Sequence, residues 1–289
     1  MRRRELLLGV VASFLSADAN AESGEGIAAI DWAMLETVIA LGVMPIAASE
    51  LIQFRKDAVE PAIPRSVVDL GLRGSPNLEL LHLLKPEMIL ISPFYTRHQA
   101  SLELIAPVIS LEFYVRGQPP VEKSLAAVQM LGDRLGRPEI AARVLGEFAH
   151  DLAEMKQALA RFSVRPFYLV NIGDARHVRI FGSDSMFGDI LVRLGLRNAW
   201  KDRSRYTFAA PVPIEELAAE KEAHLVVISE VPVEARSTLR SSVIWNSLPP
   251  VREGRVTMLD NINPYGGVLA GMRFARLLQD ALLAADDGR

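Results

Sequence analysis

A long uninterrupted helical segment in the middle of the chain constrains the fold more than any other feature. Residues 138–162 contain one glycine and no proline after Pro138, which suits the first position of a helix. One face is apolar at three- and four-residue steps and the others carry charge. The apolar residues are Ile140, Val144, Phe148, Leu152, Met155 and Leu159. About 24 residues at 1.5 Å each predict a helix of about 36 Å, long enough to brace two lobes.

Short apolar runs alternate with helical patterns on both sides of this segment. The runs before it are 26–30, 43–47, 67–71, 88–92 and 108–111, and those after it are 167–172, 177–181, 224–229 and 255–259. Such alternation predicts an α/β fold with two lobes, each with a mostly parallel sheet flanked by helices. We expect an N-terminal lobe over 22–136, a rigid connecting helix over 137–163 and a C-terminal lobe over 164–289.

The first 21 residues have the pattern of a cleaved signal peptide. Three arginines precede an apolar run over 6–17, and Ala19-Asn20-Ala21 resembles a cleavage site. The run has no polar face, which argues against an amphipathic helix, and about a dozen residues are too few to span a membrane. Arg3-Arg4 followed by Glu5-Leu6-Leu7 is similar to a twin-arginine export signal. The sequence therefore predicts an exported protein, with the export route left open.

The composition and missing motifs argue against several other classes of protein. The chain has no cysteine, so disulfides and thiolate metal sites are excluded. Its net charge is -3 with dispersed cations, whereas a nucleic-acid binder needs a basic stripe. Its five histidines fall in separate predicted elements, which disfavours a metal held by side chains. Because the sequence contains no nucleophile-elbow or phosphate-loop motif, we predict a protein that is not an enzyme.

Several segments, in this order and spacing, resemble the periplasmic ferric hydroxamate siderophore-binding proteins. That family belongs to the helix-backbone (class III) group of substrate-binding proteins of ABC importers. The similarity covers essentially the whole chain after the signal. The segments that carry it are 69–81, 84–86, 92–95, 181–191, 194–200, 214–218, 245–255 and 264–266.

The resemblance implies a ligand bound between the lobes by an arginine, a tyrosine and an aromatic wall. The arginine corresponds to Arg73 and the tyrosine to Tyr95, and Tyr265 is a further candidate for the cleft. The family has tryptophans where this chain has Tyr206 and Phe208 in a C-terminal loop, and Ile91 near Tyr95. The aromatic wall is therefore altered, and we expect the preferred siderophore to change with it.

The chemistry of these residue types suits a ferric hydroxamate. The guanidinium of Arg73 offers several donors in a fixed fork to partly negative oxygens, and the Tyr95 hydroxyl is a further donor. Two structural interpretations stay open, a surface Arg73 paired with a carboxylate and a half-buried Tyr95 that only packs. Trp32 and Trp200 are interpreted as packing residues. The siderophore would carry the iron, so no cofactor is expected.

The resemblance also implies a partner, the inner-membrane permease of an ABC importer, which acidic residues of both lobes would contact. The candidates are Glu103, Glu215 and Glu216, with solvated helix-face carboxylates as the alternative. We expect a monomer that delivers iron(III)-hydroxamate siderophores. Two other functions stay open, the same importer class with a carboxylate or mixed siderophore or a corrinoid as cargo, and an exported enzyme on a two-lobed scaffold.

Overall fold

The first half of the chain folds around a five-stranded, entirely parallel sheet in the order β3-β2-β1-β4-β5. The computed structural model describes residues 26–201 and 211–287. The strands of this sheet are β1 (Ile27–Ala29), β2 (Ala47–Ala48), β3 (Val68–Asp69), β4 (Met88–Ile91) and β5 (Val108–Ser110). Its helices are α1 (Trp32–Ala40), α2 (Leu51–Asp57), α3 (Leu78–Leu84), α4 (Thr96–Glu103) and α5 (Val121–Arg134), with a 3-10 turn at Pro93–Tyr95.

This strand order creates a crevice at the carboxyl ends of the central strands. The chain moves outward from β1 to β2 and β3, then returns to the other side of β1 as β4 and β5. Loops on the two sides of such a reversal diverge, so the crevice between β1 and β4 is where α/β sheets bind ligands. Asp31 lies two residues after β1, and Ser92 directly follows β4.

The second half folds around a six-stranded mixed sheet. Its strands are β6 (Pro166–Ile172), β7 (His177–Ile180), β8 (Arg197–Asn198), β9 (Val212–Pro213), β10 (His224–Ile228) and β11 (Val256–Leu259). The order is β11-β10-β6-β7-β9, with β8 also paired to β6, and only the pairings of β7 are antiparallel. The helices are α7 (Met186–Arg193), α8 (Val233–Ser241), α9 (Val243–Ser247), α10 (Pro249–Arg252) and α11 (Val268–Asp287), with a 3-10 helix at Ile214–Ala218.

The long helix α6 (Pro138–Leu159) joins the two halves and packs against α5 and α11. A 3-10 turn, Ala160–Phe162, continues it. Phe148, Met155 and Leu159 are buried in the same hydrophobic cluster as Leu90 of the first sheet and Leu169 of the second. The predicted apolar stripe therefore connects both halves through one core. Within the described ranges, no helix is long and apolar enough to cross a membrane.

The structure differs from the sequence-based elements in a few places. In the run 43–47 only Ala47 pairs as part of a strand, and Pro45 within it has no N–H to donate. Helices α2 and α8 were not predicted. Helix α2 begins after Glu50, which has a left-handed backbone and makes no side-chain cap, so the usual start signal is missing. The predicted signal peptide lies outside the described residues.

Candidate functional site

Arg73 lies in a tight loop that leaves the carboxyl end of β3. The Asp69 carboxylate accepts a hydrogen bond from the Gly71 N–H at 3.0 Å, and Gly71 has a φ of 76° that favours glycine. The loop ends at Asn77, whose side chain accepts from the Leu80 N–H at 2.9 Å and caps α3. The Asp-Leu-Gly-Leu-Arg segment therefore reverses the chain and places Arg73 at the sheet edge that bears the crevice.

Arg73 forms an ion pair with Glu50. Its Nε lies 2.6 Å from Glu50 Oε2, its backbone N–H donates to Oε1 at 3.2 Å, and both side chains are 20% exposed. Glu50 follows β2 and has a φ of 54°, a conformation that is costly for a residue with a Cβ. Arg73 is therefore paired with a carboxylate, but at a partly buried rather than a surface position, and the pair is compatible with a ligand role because it fixes the guanidinium.

Two aromatic rings face the guanidinium of Arg73. Its central carbon lies 3.7 Å from the centroid of a Trp32 ring and 5.9 Å from that of Tyr265. Trp32 is only 2% exposed, donates from Nε1 to the Ser49 carbonyl at 3.0 Å, and meets Phe54 edge-on at 5.3 Å. The packing interpretation of Trp32 is correct, but the residue also supports Arg73. Its position at the start of α1, three residues after the central strand β1, is the sequence feature that could have indicated this role.

Tyr95 lies in the 3-10 turn after β4, above the buried carboxyl of Asp31. Asp31 caps α1 and accepts from the Ser92 hydroxyl at 2.8 Å, and burial raises its pKa. Burial first, and then the Asp31 charge, raise the pKa of Tyr95 to about 12, while Arg73 acts in the opposite direction. Tyr95 therefore keeps its hydroxyl proton at neutral pH. It is half-buried and also packs on the core, so it has the packing role and carries a donor as well.

Tyr265 reaches this place from the second half of the chain, after β11. Its N–H donates to Asn263 Oδ1 at 3.0 Å, and its ring is half-buried. The structure thus brings together Arg73, Tyr95 and Tyr265, as the sequence predicted, and adds Trp32 and Glu50. These five residues are called the Arg73 site below.

A cavity of about 390 Å³ is lined by residues of both halves, and Pro264, which precedes Tyr265, is one of them. It is lined from one side by Lys56 and Asp57 at the end of α2. From the other side it is lined by residues that follow β6, β10 and β11 or lie near them, including Asn171, Ser229, Asn261 and Pro264. Asn261 donates to the Lys56 carbonyl at 3.1 Å, so the halves also touch at the cavity wall.

The acidic residues predicted to contact a permease are exposed, one in the first half of the chain and two in the second. Glu103 is exposed at the end of α4 and accepts from Gln99 at 2.7 Å. Glu215 and Glu216 are exposed on the 3-10 helix of the second half. Tyr206 and Phe208 lie outside the described residues. Across 26–201 and 211–287, no group of three or more potential metal-ligating side chains comes together.

The buried carboxylate of Glu36, which was not predicted as a site residue, accepts hydrogen bonds from residues on both sides of Tyr265. Its two oxygens accept from Asn263 Nδ2 at 2.6 Å, the Gly267 N–H at 2.8 Å and the Ala270 N–H at 3.2 Å. Burial raises its pKa from 4.5 to about 7 against the effect of these hydrogen bonds. The partners of Glu36 lie in a distant segment, so the local sequence of the buried helix α1 does not indicate them.

Replacing Glu36 by glutamine is expected to remove a pH dependence from folding stability. Because the folded-state pKa is raised, the contribution of Glu36 is fully present below its unfolded value of 4.5 and is lost as pH rises towards about 7. Across that window, the free energy of unfolding of the wild type should fall by about 1.4 kcal/mol per pH unit relative to the variant. Urea unfolding of both proteins across this window measures the difference, and parallel pH profiles would contradict the assignment.

Candidate ligand residues on loops from two sheets, together with a cavity lined by both halves, are typical of a substrate-binding protein that holds a small molecule between two α/β lobes. The chain belongs to the periplasmic binding protein family, whose sequence profile matches residues 27–262. The class predicted from the sequence is therefore confirmed.

Several known proteins are similar to this chain over most of their length. The chain is 31% identical over 285 residues to the iron(3+)-hydroxamate-binding protein FhuD of Escherichia coli strain K12, covering 97% of this chain and 96% of that protein. It is 22% identical over 232 residues to the Fe(3+)-citrate-binding protein YfmC of Bacillus subtilis strain 168, covering 78% and 70% respectively. FhuD from Vibrio cholerae, solved with Fe3+–Desferal, has a TM-score of 0.84 at 25% identity, covering 91% of this chain and 99% of that one. The predicted fold class and the resemblance to ferric hydroxamate-binding proteins are both confirmed.

Proposed function

We propose that the protein binds iron(III)-hydroxamate siderophores at the Arg73 site and delivers them to the permease of an ABC importer. The observation that carries this proposal is the geometry of Arg73, held by Glu50 and stacked near Trp32 and Tyr265, with the protonated Tyr95 close by. A fixed guanidinium presents several donors to the partly negative oxygens around the iron. The similarity to the iron(3+)-hydroxamate-binding protein of E. coli and to the V. cholerae protein solved with Fe3+–Desferal supports this cargo.

The surface around the Arg73 site suits a ligand with an apolar periphery. Leu72 and Phe94 directly precede Arg73 and Tyr95, and each is 66% exposed. Exposed large apolar side chains beside polar donors are typical of ligand-binding surfaces. Ile91 is fully buried, so it supplies no replacement for the ring found in the family. This difference motivates the second candidate cargo, a carboxylate or mixed siderophore or a corrinoid, within the same importer class.

The remaining parts of the proposal concern location and partners. We propose a monomeric periplasmic protein, exported through residues 1–21 and possessing lobes at 22–136 and 164–289 around a connecting helix at 137–163. The assignment of strands to two sheets supports this division. Exposed Glu103, Glu215 and Glu216 would contact basic residues of the permease, where charges at a rim mainly set encounter rate and register. The iron arrives within the siderophore, so no resident cofactor is proposed.

Fluorescence titration of the purified protein tests the cargo. Trp32 lies directly under Arg73, so a ferric hydroxamate bound there should quench its emission at micromolar or lower concentration. Ferric catecholate, ferric citrate, haem and cobalamin are the comparators. Saturable quenching by hydroxamates supports the proposal. Quenching only by a comparator would show that the protein binds that compound instead of a hydroxamate. No quenching by any of the compounds would contradict a siderophore-binding role.

A further inference from the structure

The segment that carries Tyr265 is attached to the first half of the molecule, although it belongs to the second half in sequence. Asn263 and Gly267, on either side of Tyr265, both donate to the carboxylate of Glu36 on α1. Between them, the Gly266 carbonyl accepts from the Tyr114 hydroxyl at 2.6 Å. Tyr114 follows β5, so two separate elements of the first half hold this segment.

Asn263 connects the Glu36 carboxylate to the backbone of Tyr265. Its Nδ2 donates to Glu36 Oε1, which leaves Oδ1 facing the N–H of Tyr265. A carboxylate only accepts hydrogen bonds, so it fixes which end of the amide faces which partner. The orientation of Asn263, and with it the position of the Tyr265 backbone, therefore depends on Glu36.

The amino end of α11 and Gly266 complete the attachment. The Gly267 N–H lies just before α11, and the Ala270 N–H lies in its first turn. Such N–H groups have no partner within the helix, and the carboxylate satisfies both. At Gly266, an added Cβ would overlap with both carboxylate oxygens of Glu36 and with the Ala270 side chain. Only glycine permits this close approach, which explains why a glycine follows Tyr265.

We infer that Glu36, Asn263 and Tyr114 are positioning residues that hold Tyr265 over Arg73 and so set the affinity of the Arg73 site. The consequence for ligand specificity rests on the proposed function, whereas the attachment itself does not. The ring of Tyr265 then stays with the first half of the molecule, beside Arg73 and Trp32. None of the three positioning residues needs to touch the ligand.

Amide hydrogen exchange of the ligand-free protein at about pH 8, where Glu36 is ionised, tests the attachment. Glu36→Gln and Tyr114→Phe are expected to speed exchange about tenfold or more in peptides spanning 263–270, since each loses at least one hydrogen bond to that segment. Tyr168→Phe is the matched control. Its hydroxyl accepts from the Glu220 N–H at 3.2 Å in the core of the second half, away from this segment. Unchanged exchange in both variants would overturn the inference.

Ligand affinity provides a second readout, which a merely structural role would not move. With a ferric hydroxamate as probe, Tyr114→Phe should weaken binding about tenfold in the wild-type background and hardly at all in a Tyr265→Ala background. An equal loss in both backgrounds would show that Tyr114 does not act through Tyr265, and would overturn the inference. If the wild type binds no ferric hydroxamate, the proposed function fails, and the exchange comparison alone decides the attachment.

Discussion

Replacing Arg73 by alanine is expected to weaken ferric hydroxamate binding by about 100-fold or more. Two charge-assisted hydrogen bonds at about 1.5 kcal/mol each already account for that factor. Arg73→Lys should recover only part of the affinity, because an ammonium is a point charge without the planar fork that stacks near Trp32. Titration of the three proteins with one ferric hydroxamate measures both effects.

Two further variants distinguish loss of donors from other causes. Removing Arg73 leaves the Glu50 carboxylate unpaired near the ligand, so Arg73→Ala/Glu50→Gln tests whether repulsion causes the loss. Arg161→Ala is the matched control, because Arg161 also pairs with a carboxylate, Asp286 at 3.1 Å, and lies 5.2 Å from the Phe162 ring. Full affinity in Arg73→Ala, or recovery in the double variant, would show that Arg73 is not the ligand donor.

Replacing Trp32 by alanine is expected to lower the free energy of unfolding by about 3–5 kcal/mol, the usual cost of removing a large buried ring. Trp32 is 2% exposed, packs edge-on against Phe54 and satisfies the Ser49 carbonyl. Urea unfolding followed by circular dichroism measures the loss without relying on tryptophan emission.

A half-buried tryptophan gives the comparison for this prediction. Trp245→Ala should cost clearly less, because Trp245 only borders the second hydrophobic cluster. Trp32→Phe should keep most of the packing against Phe54 while losing the hydrogen bond to Ser49. If Trp32→Ala unfolds at the same urea concentration as Trp245→Ala, burial of Trp32 does not make the predicted large contribution to the stability of the fold around the Arg73 site.

Local patterns were sufficient for the architecture. The apolar stripe of residues 138–162 predicted α6, because a 3.6-residue period sustained over about six turns is compatible with a helix and not with a strand. The apolar runs predicted strands wherever they are buried on both faces, as in β1 and β4. In the second sheet, the run 177–181 predicted a strand at β7 but not its antiparallel direction, and no run predicted β9. Strand direction depends on pairing partners rather than on the residues of the strand itself.

The sequence by itself indicated Arg73 and Tyr95 as candidates, through the resemblance to ferric hydroxamate-binding proteins. Their places in turns after strands agree with that choice, because strand ends are where an α/β sheet binds ligands. Only the tertiary structure decided what holds them. Glu50 lies 23 positions from Arg73, and Glu36 lies 231 positions from Gly267. Contacts between residues so far apart leave no local sequence pattern, since a glutamate looks the same in the sequence whether its carboxylate is paired or solvated. The partners of the Arg73 site therefore became visible only once the two halves of the chain were packed together.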